Sequence, residues 1–265
     1  MPENAASLPL IESIEAFAAC ADSHRHGLFR VKPRVLFATI EQTAELPVDM
    51  QLQVPSSGIG SITLLEASML VSVLHLTRPL RVFEFGTFLG YSTALLLRNT
   101  SETCEVVSID LGDQSAALSE AARYSEAELR SDDKKNDDYL RYVQSAKGPR
   151  YLRALSAAQS ARLKLLYGNS LQLDIDAAGL RNAVDFVFVD GGHDTATIAS
   201  DTRKALEMTG TDGVIAWHDF DSKIHSDVTD FVQSLASEHL IFHVENTMLA
   251  FVYRGKALRQ VLHRK

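Results

Sequence analysis

The segment AVDFVFVD, residues 183–190, constrains the fold more than any other stretch. Val184 to Val189 form a nearly continuous apolar run that ends on Asp190. Such a strand needs cover on both faces, as in a parallel sheet between two helical layers. The flanking sequence repeats an alternation that fits. LRVFEF (80–85) predicts a strand and 90–98 a helix. CEVVSID (104–110) and RLKLLYG (162–168) predict strands. Thr195 to Met208 predicts a helix, GVIAWHD (213–219) a strand and 225–237 a helix. Strands alternating with helices imply parallel βαβ units. The end departs from this pattern. LIFHVE (240–245), Asn246-Thr247 and MLAFVYR (248–254) leave no helix between two strands, which predicts a hairpin. The expected fold is α/β: a Rossmann-like, doubly wound, mostly parallel seven-stranded sheet with an antiparallel C-terminal hairpin strand.

Around this frame the chain is harder to place. Residues 8–26 predict an amphipathic helix with Leu10, Ile14, Phe17 and Ala21 on one face, stopped by Gly27. Residues 28–60, with Pro33, Pro47 and Pro55, predict irregular structure. Thr63 and Glu66 have capping-box spacing, so a helix over 63–76 follows. Residues 112–161 interrupt the alternation with a charged, mixed-sign stretch, a solvated helical insertion; a lid or an oligomer contact is the functional alternative. The expected division is an N-terminal helical and irregular extension over 1–60 and a main domain over 61–265 carrying the insertion.

The chain has 265 residues, of which 46% are hydrophobic, enough for one large core. The formal net charge of −8 argues against a nucleic-acid groove or an anionic membrane as partner. No run approaches the ~18 apolar residues of a membrane span. The N-terminal stretch, broken by Pro9, Glu12 and Glu15, does not resemble a secretory signal. Cys20 and Cys104 form no CxxC motif and suggest no disulfide. The expectation is a cytoplasmic protein acting on a small molecule, with a homo-oligomer left open.

The stretch VFEFGTFLGYST (82–93) places Glu84 inside a buried strand, then a turn bracketed by Gly86 and Gly90, then a helix start. Ligands of open parallel sheets bind beyond the carboxyl ends of the strands. Glycines there let the backbone turn and approach a ligand. Asp110 ends the next strand, where a carboxylate commonly accepts a ribose diol. The spacing Glu-x-Gly-x-x-x-Gly sets an acid before the first glycine. That acid suits a ligand carrying an amino group better than a pyrophosphate.

These residues resemble motif I of class I S-adenosylmethionine (SAM)-dependent methyltransferases, in the catechol O-methyltransferase-like form. The similarity covers about 62–254. It extends to Asp110, to GNS (168–170), to VDFVFVDGGHD and to GVIAWHDF. DGGHD with WHDF looks most like the bacterial branch acting on sugars and natural products. The resemblance implies SAM as cofactor. Glu84 would lie near the methionine amino group and Gly86, Thr87 and Gly90 would line the turn. Tyr91 and Ser92 follow it, the serine near the carboxylate end or as a helix cap. Asp110 and Leu111 would flank the ribose, and Asn169 and Ser170 the adenine, with Asp190 beside the cofactor.

Asp190 ends one predicted strand, and His218 and Asp219 end the next. Three oxygen or nitrogen donors at adjacent strand ends are a candidate set for Mg²⁺ or another divalent metal, the imidazole favouring softer ions. The alternatives are that the two acids cap helices or bond the cofactor, and that His218 packs as a neutral ring. In the family this position carries an acid, so His218 is a departure. His193 lies three residues after Asp190, where the catechol enzymes carry a lysine, and is the candidate base with Asp190 as its catalytic neighbour. The alternative is a structural helix-start histidine. Trp217 either walls the acceptor pocket or fills the core. The leading function is O-methylation of a small hydroxylated molecule. A SAM-binding interaction module and a nucleotide-binding oxidoreductase are the other readings.

Overall fold

A computed structural model describes residues 7–44, 46–112 and 118–254. Strand β1 (Leu10–Ile11) and helix α1 (Ile14–Ser23) lead into β2 (Gly27–Val31), α2 (Pro33–Thr43) and α3 (Leu64–Thr77). The alternating part follows as β3 (Arg81–Phe85), α4 (Tyr91–Arg98) and β4 (Glu105–Asp110). The insertion holds α5 (Glu126–Leu129), α6 (Asp133–Lys147) and α7 (Ala157–Ala161) before β5 (Leu163–Tyr167). The chain closes with β6 (Phe186–Val189), α8 (Thr195–Thr209), β7 (Gly213–Trp217), α9 (Ser226–Leu235), β8 (Leu240–Val244) and β9 (Ala250–Arg254).

One mixed sheet runs in the order β1-β2-β8-β9-β7-β6-β3-β4-β5. Among the described strands β9 alone runs against its neighbours, antiparallel to both β7 and β8. The class matches the expectation, but nine strands replace seven. The difference lies at the N-terminus. Leu10 belongs to β1, not to a helix over 8–26, because Ser13 caps α1 by accepting from the Ala16 N–H at 3.2 Å. Gly27 opens β2, which pairs in register with β8 from Gly27↔Leu240 to Val31↔Val244. Residues 28–60 are not uniformly irregular either. Pro33 starts α2, at the one helical position where its missing N–H costs nothing.

Side chains alternate across the sheet with the period of two. Val82, Phe186, Phe188 and Phe251 pack under α3 and α4 with Met69, Leu70 and Leu96. Phe83, Phe85, Val187 and Trp217 pack on the other face with Ile198 of α8 and Val228 and Val232 of α9. The second layer holds Trp217, fully buried and donating from Nε1 to Thr202 Oγ1 at 2.9 Å. It is core, not pocket wall. Thr63 and Glu66 form the expected capping box on α3. Cys20 and Cys104 are buried thiols without a disulfide. No helix among the described residues is long and apolar enough to cross a membrane.

The strand order reverses beside β3, with β4 and β5 on one side and β6 and β7 on the other. The carboxyl ends of β3, β4, β6 and β7 therefore meet at a switch point, where a crevice must open.

Candidate active site

The turn after β3 is fixed by close approach. Gly86 has φ +94°, and a Cβ there would lie 1.9 Å from the Asp190 carbonyl oxygen. No other residue fits. Gly90, at φ +79°, precedes α4 and packs against Leu152, 2.7 Å from a Cβ at that position.

Glu84 points to the α4 face of the sheet and is fully buried. Its Oε2 accepts from Thr93 Oγ1 and from Ser108 Oγ at 2.6 Å, and Ser108 in turn meets Thr87 Oγ1 at 2.6 Å. Its Oε1 is buried with no partner among the described residues. Burial pushes the carboxyl up to about 7, against the pull of Ser108, Ser92 and Thr93. Glu84 thus sits beneath the turn.

Asp110 ends β4 and holds the turn from the other side. Its Oδ2 accepts from the Phe88 N–H at 2.5 Å and its Oδ1 from the Leu111 N–H at 2.7 Å. Burial raises this carboxyl above its ordinary value despite those donors. Gly168 N–H donates to the Asp110 carbonyl at 2.8 Å, bringing the 168–170 loop alongside. Asn169 caps the short turn that follows, and Ser170 Oγ donates to Asp201 Oδ2 of α8 at 3.0 Å. Burial pushes Asp201 up to about 6.

At the ends of β6 and β7 lies a second cluster. His218 Nδ1 is 3.3 Å from Asp190 Oδ1 and 3.1 Å from Asp219 Oδ2, while its Nε2 faces Glu66 Oε2 at 3.6 Å. His193 Nε2 meets Asp219 Oδ2 at 3.1 Å, and His193 Nδ1 meets Asp137 Oδ1 at 2.6 Å. His225 stacks on His193 with centroids 3.8 Å apart and takes Asp133 Oδ1 at 2.6 Å on its own Nδ1. Asp219 turns into the cluster because its backbone adopts φ +61°, a conformation short acids tolerate better than most residues.

Charge dominates this cluster. Burial alone would lower the His193 imidazolium, but the Asp219 and Asp137 carboxylates outweigh it and push His193 up to about 10. Burial likewise opposes charge on His218, yet Asp219 and Asp190 raise it well above the ordinary histidine range. Burial raises Asp190. On Asp219 burial is outweighed by His218 and His193, which hold it well below the carboxylate range. On Glu66 burial is outweighed by His218 and by the Thr63 and Met248 N–H groups, which bring it to about 2.

The expected metal set therefore comes together. One donor atom each from Asp190, His218 and Asp219 lies within 4.8 Å of the others. The set fits a divalent ion on two counts. His218 keeps its second nitrogen buried with no hydrogen-bond partner among the described residues, 3.6 Å from the Glu66 carboxylate, so a negative charge stands behind the ring. Five carboxylates (Glu66, Asp133, Asp137, Asp190, Asp219) also face three imidazoles, leaving negative charge in excess. Asp137, His193 and His225 also converge, but their 2.6 Å contacts have hydrogen-bond spacing. Neither Asp190 nor Asp219 caps a helix; Asp194 caps α8, accepting from the Ala196 and Thr197 N–H groups.

One cavity of about 1560 Å³ joins the two halves. It is lined by Gly86, Thr87, Tyr91, Ser92, Asp110, Leu111, Asn169 and Ser170, and by Asp190, His193, His218 and Asp219. Glu84 and Gly90 do not line it. Single small-molecule sites take roughly 300–1,000 Å³, so this space admits two ligands side by side. Glu66, Asp133, Asp137 and His225 are site residues that sequence spacing did not single out. Glu66 showed only as a cap, and Asp133 and Asp137 only as part of a charged, mixed-sign stretch.

Solved structures of similar course include an O-methyltransferase from Bacillus cereus in complex with S-adenosylhomocysteine (SAH), at 17% identity and a TM-score of 0.46 over 82% of this chain and 91% of that one. Another is TomG from Streptomyces achromogenes, an O-methyltransferase of tomaymycin synthesis in complex with SAM, at 18% identity and 0.44 over 83% and 89%. No curated protein matches the chain by sequence. The family model described as a methyltransferase domain matches residues 83–220, from the turn-forming strand β3 to the residue after Asp219. That match spans just over half of the chain and takes in both halves of the cavity apart from the loop over 55–64, residues 221–225 and Met248; the chain belongs to the methyltransferase-domain family.

Proposed function

We propose that the chain transfers a methyl group from SAM to a hydroxyl oxygen of a small acceptor, such as a sugar or natural product. One observation carries this reading above the rest. Gly86 of the turn packs directly on the backbone of Asp190, which opens the cluster of His193, His218 and Asp219. A half suited to a nucleoside with an amino-acid tail and a half suited to a hydroxyl proton share one wall.

Each residue then has a task. Asp110 accepts the ribose diol, with Leu111 beside it and Asn169 and Ser170 toward the base. Thr87, Tyr91 and Ser92 meet the amino-acid end at the first turn of α4, where unpaired N–H groups favour a carboxylate. Glu84 acts on that end through the Ser108 hydroxyl, which meets Thr87, rather than by contact. The sulfonium supplies a strong electrophile, so the protein's remaining work is alignment and proton removal.

His193 is the base. Its Nε2 donates to Asp219 in the resting cluster; once that proton is released to solvent, a hydroxyl replaces the carboxylate as its partner and Nε2 takes the acceptor proton. Asp190, His218 and Asp219 would hold a divalent cation. Such an ion would lower the pKa of a hydroxyl and offset the charge of Asp219, the carboxylate that most raises His193, so that His193 could give up its Nε2 proton.

The test is transfer of labelled methyl from SAM to a panel of sugars and phenols carrying adjacent hydroxyls. Transfer by the wild type that His193→Gln abolishes, with SAH still bound, supports the reading. Undiminished transfer by His193→Gln removes His193 from the reaction.

A further inference from the structure

Helix α6 belongs to the charged insertion, yet it roofs the cavity. Near its middle Leu140 fills the space over Gly60, 2.3 Å from where a Cβ would stand. Near its end Gln144 Nε2 donates to the Leu111 carbonyl at 3.0 Å, on the ribose side. Its first turns reach the other half of the site. Asp133 and Asp137 lie four residues apart, so they share one face of the helix. Asp137 Oδ1 meets His193 Nδ1 and Asp133 Oδ1 meets His225 Nδ1, each at 2.6 Å, across the stacked imidazole pair.

This bracket defines the His193 ring. An imidazole torsion is broad and nearly two-fold, so an unheld ring presents either nitrogen. Here a carboxylate takes the Nδ1 proton, and a neighbouring ring lies parallel to within 19° and 3.8 Å away. Nε2 also donates to a carboxylate, Asp219, but at the longer 3.1 Å and on the cavity side, so it is the nitrogen whose proton can be exchanged with a ligand. Arg141 Nη2 stands 3.9 Å from Asp137 Oδ2, on the carboxylate oxygen that does not touch His193.

We propose that Asp137 is the positioning residue of His193, fixing Nδ1 as its proton-bearing nitrogen and Nε2 as its reactive one, and that Asp133 secures the stacking partner His225. The inference rests on His193 being the base. It gives the insertion a role in the chemistry: the helix that roofs the cavity also aligns its base. Asp137 stands at the cavity wall and acts through His193.

Imidazole ¹H–¹⁵N NMR of the full chain, with and without SAH, tests this. The wild type is expected to show a downfield, exchange-protected Nδ1–H resonance that His193→Gln removes, assigning it. Asp137→Ala should abolish it. Asp137→Asn should retain it shifted upfield, because an amide oxygen still accepts but more weakly. Asp133→Asn should leave it in place. SAH affinity should stay within about two-fold in all three α6 variants. A resonance that survives Asp137→Ala overturns the proposal. So does a loss of SAH affinity that is the same in Asp133→Asn and Asp137→Ala, which would make both acids mere roof fasteners. Failure of the wild type to bind SAH would instead count against the methyltransferase reading, whatever the resonance does.

Discussion

The backbone of Asp190 occupies the space that a side chain on Gly86 would need. The distance from a Cβ there to the Asp190 carbonyl oxygen is 1.9 Å. Two neighbouring parallel strands, β3 and β6, are thereby locked at their carboxyl ends. The same contact ties the cofactor half of the cavity to the reacting half.

Gly86→Ala should therefore be severely damaging. A left-handed backbone already costs an alanine roughly 1–2 kcal/mol, and the clash is with main chain, which cannot rotate away. We expect a stability loss of at least about 3 kcal/mol in urea denaturation, together with loss of SAH binding. Gly168→Ala, where a Cβ would meet nothing within 4 Å, is the control and should be near wild type in stability.

Much of this was legible in the sequence. The strands from β3 to β9 follow from apolar runs, and the hairpin from the missing helix at Asn246, whose φ of +63° makes it the turn residue. The gathering of Asp190, His193, His218 and Asp219 follows from their places at strand ends. What was not legible depends on contacts distant in sequence. β2 is short and only half-covered, and becomes a strand because β8 offers it an edge. Glu66 satisfies a capping-box pattern, and no local signal shows that His218 also stands beside it. Asp133 and Asp137 have the spacing of many solvated helix faces. Only the fold brings the stacked His193 and His225 beneath them.

Glu84 makes stability depend on pH. Its carboxyl is pushed up to about 7 in the folded chain from an ordinary value of 4.5. The folded state thus binds the proton more tightly than the unfolded state. This favours folding below the ordinary value, and the advantage is lost as pH rises through the folded value. The loss is on the order of 3 kcal/mol between pH 4.5 and pH 8. Asp201, raised to about 6, adds in the same direction. Urea denaturation of Glu84→Gln over that range should show a flatter profile than wild type. A slope equal to that of wild type would refute the assignment.

His218 and Glu66 should control affinity for a divalent ion. After chelator treatment, Mn²⁺ binding followed by electron paramagnetic resonance is expected in the wild type and lost in His218→Ala. Glu66→Gln keeps the helix cap, since glutamine also serves a capping box, but removes the carboxylate charge that stands 3.6 Å from His218 Nε2. It should reduce affinity by about 10-fold, the lower end for outer-shell changes. Equal binding by all three proteins would remove the metal from the site.

His193→Gln should leave SAH affinity unchanged and lower methyl transfer by about 10²–10⁴, the range for loss of a general base. The measurement is initial rate with labelled SAM at saturating acceptor, alongside calorimetry on the same preparation. A fall in SAH affinity of similar size would instead place His193 in cofactor binding.

Calorimetric titration of the chelator-treated wild type and of Asp110→Ala with SAH, repeated with Mg²⁺ present, tests the central claim most directly. The account predicts saturable binding to the wild type and, from the loss of a charge-assisted contact to the ribose, an affinity about 10–100-fold lower in Asp110→Ala. No heat of binding to the wild type at millimolar SAH, with or without the ion, would contradict it.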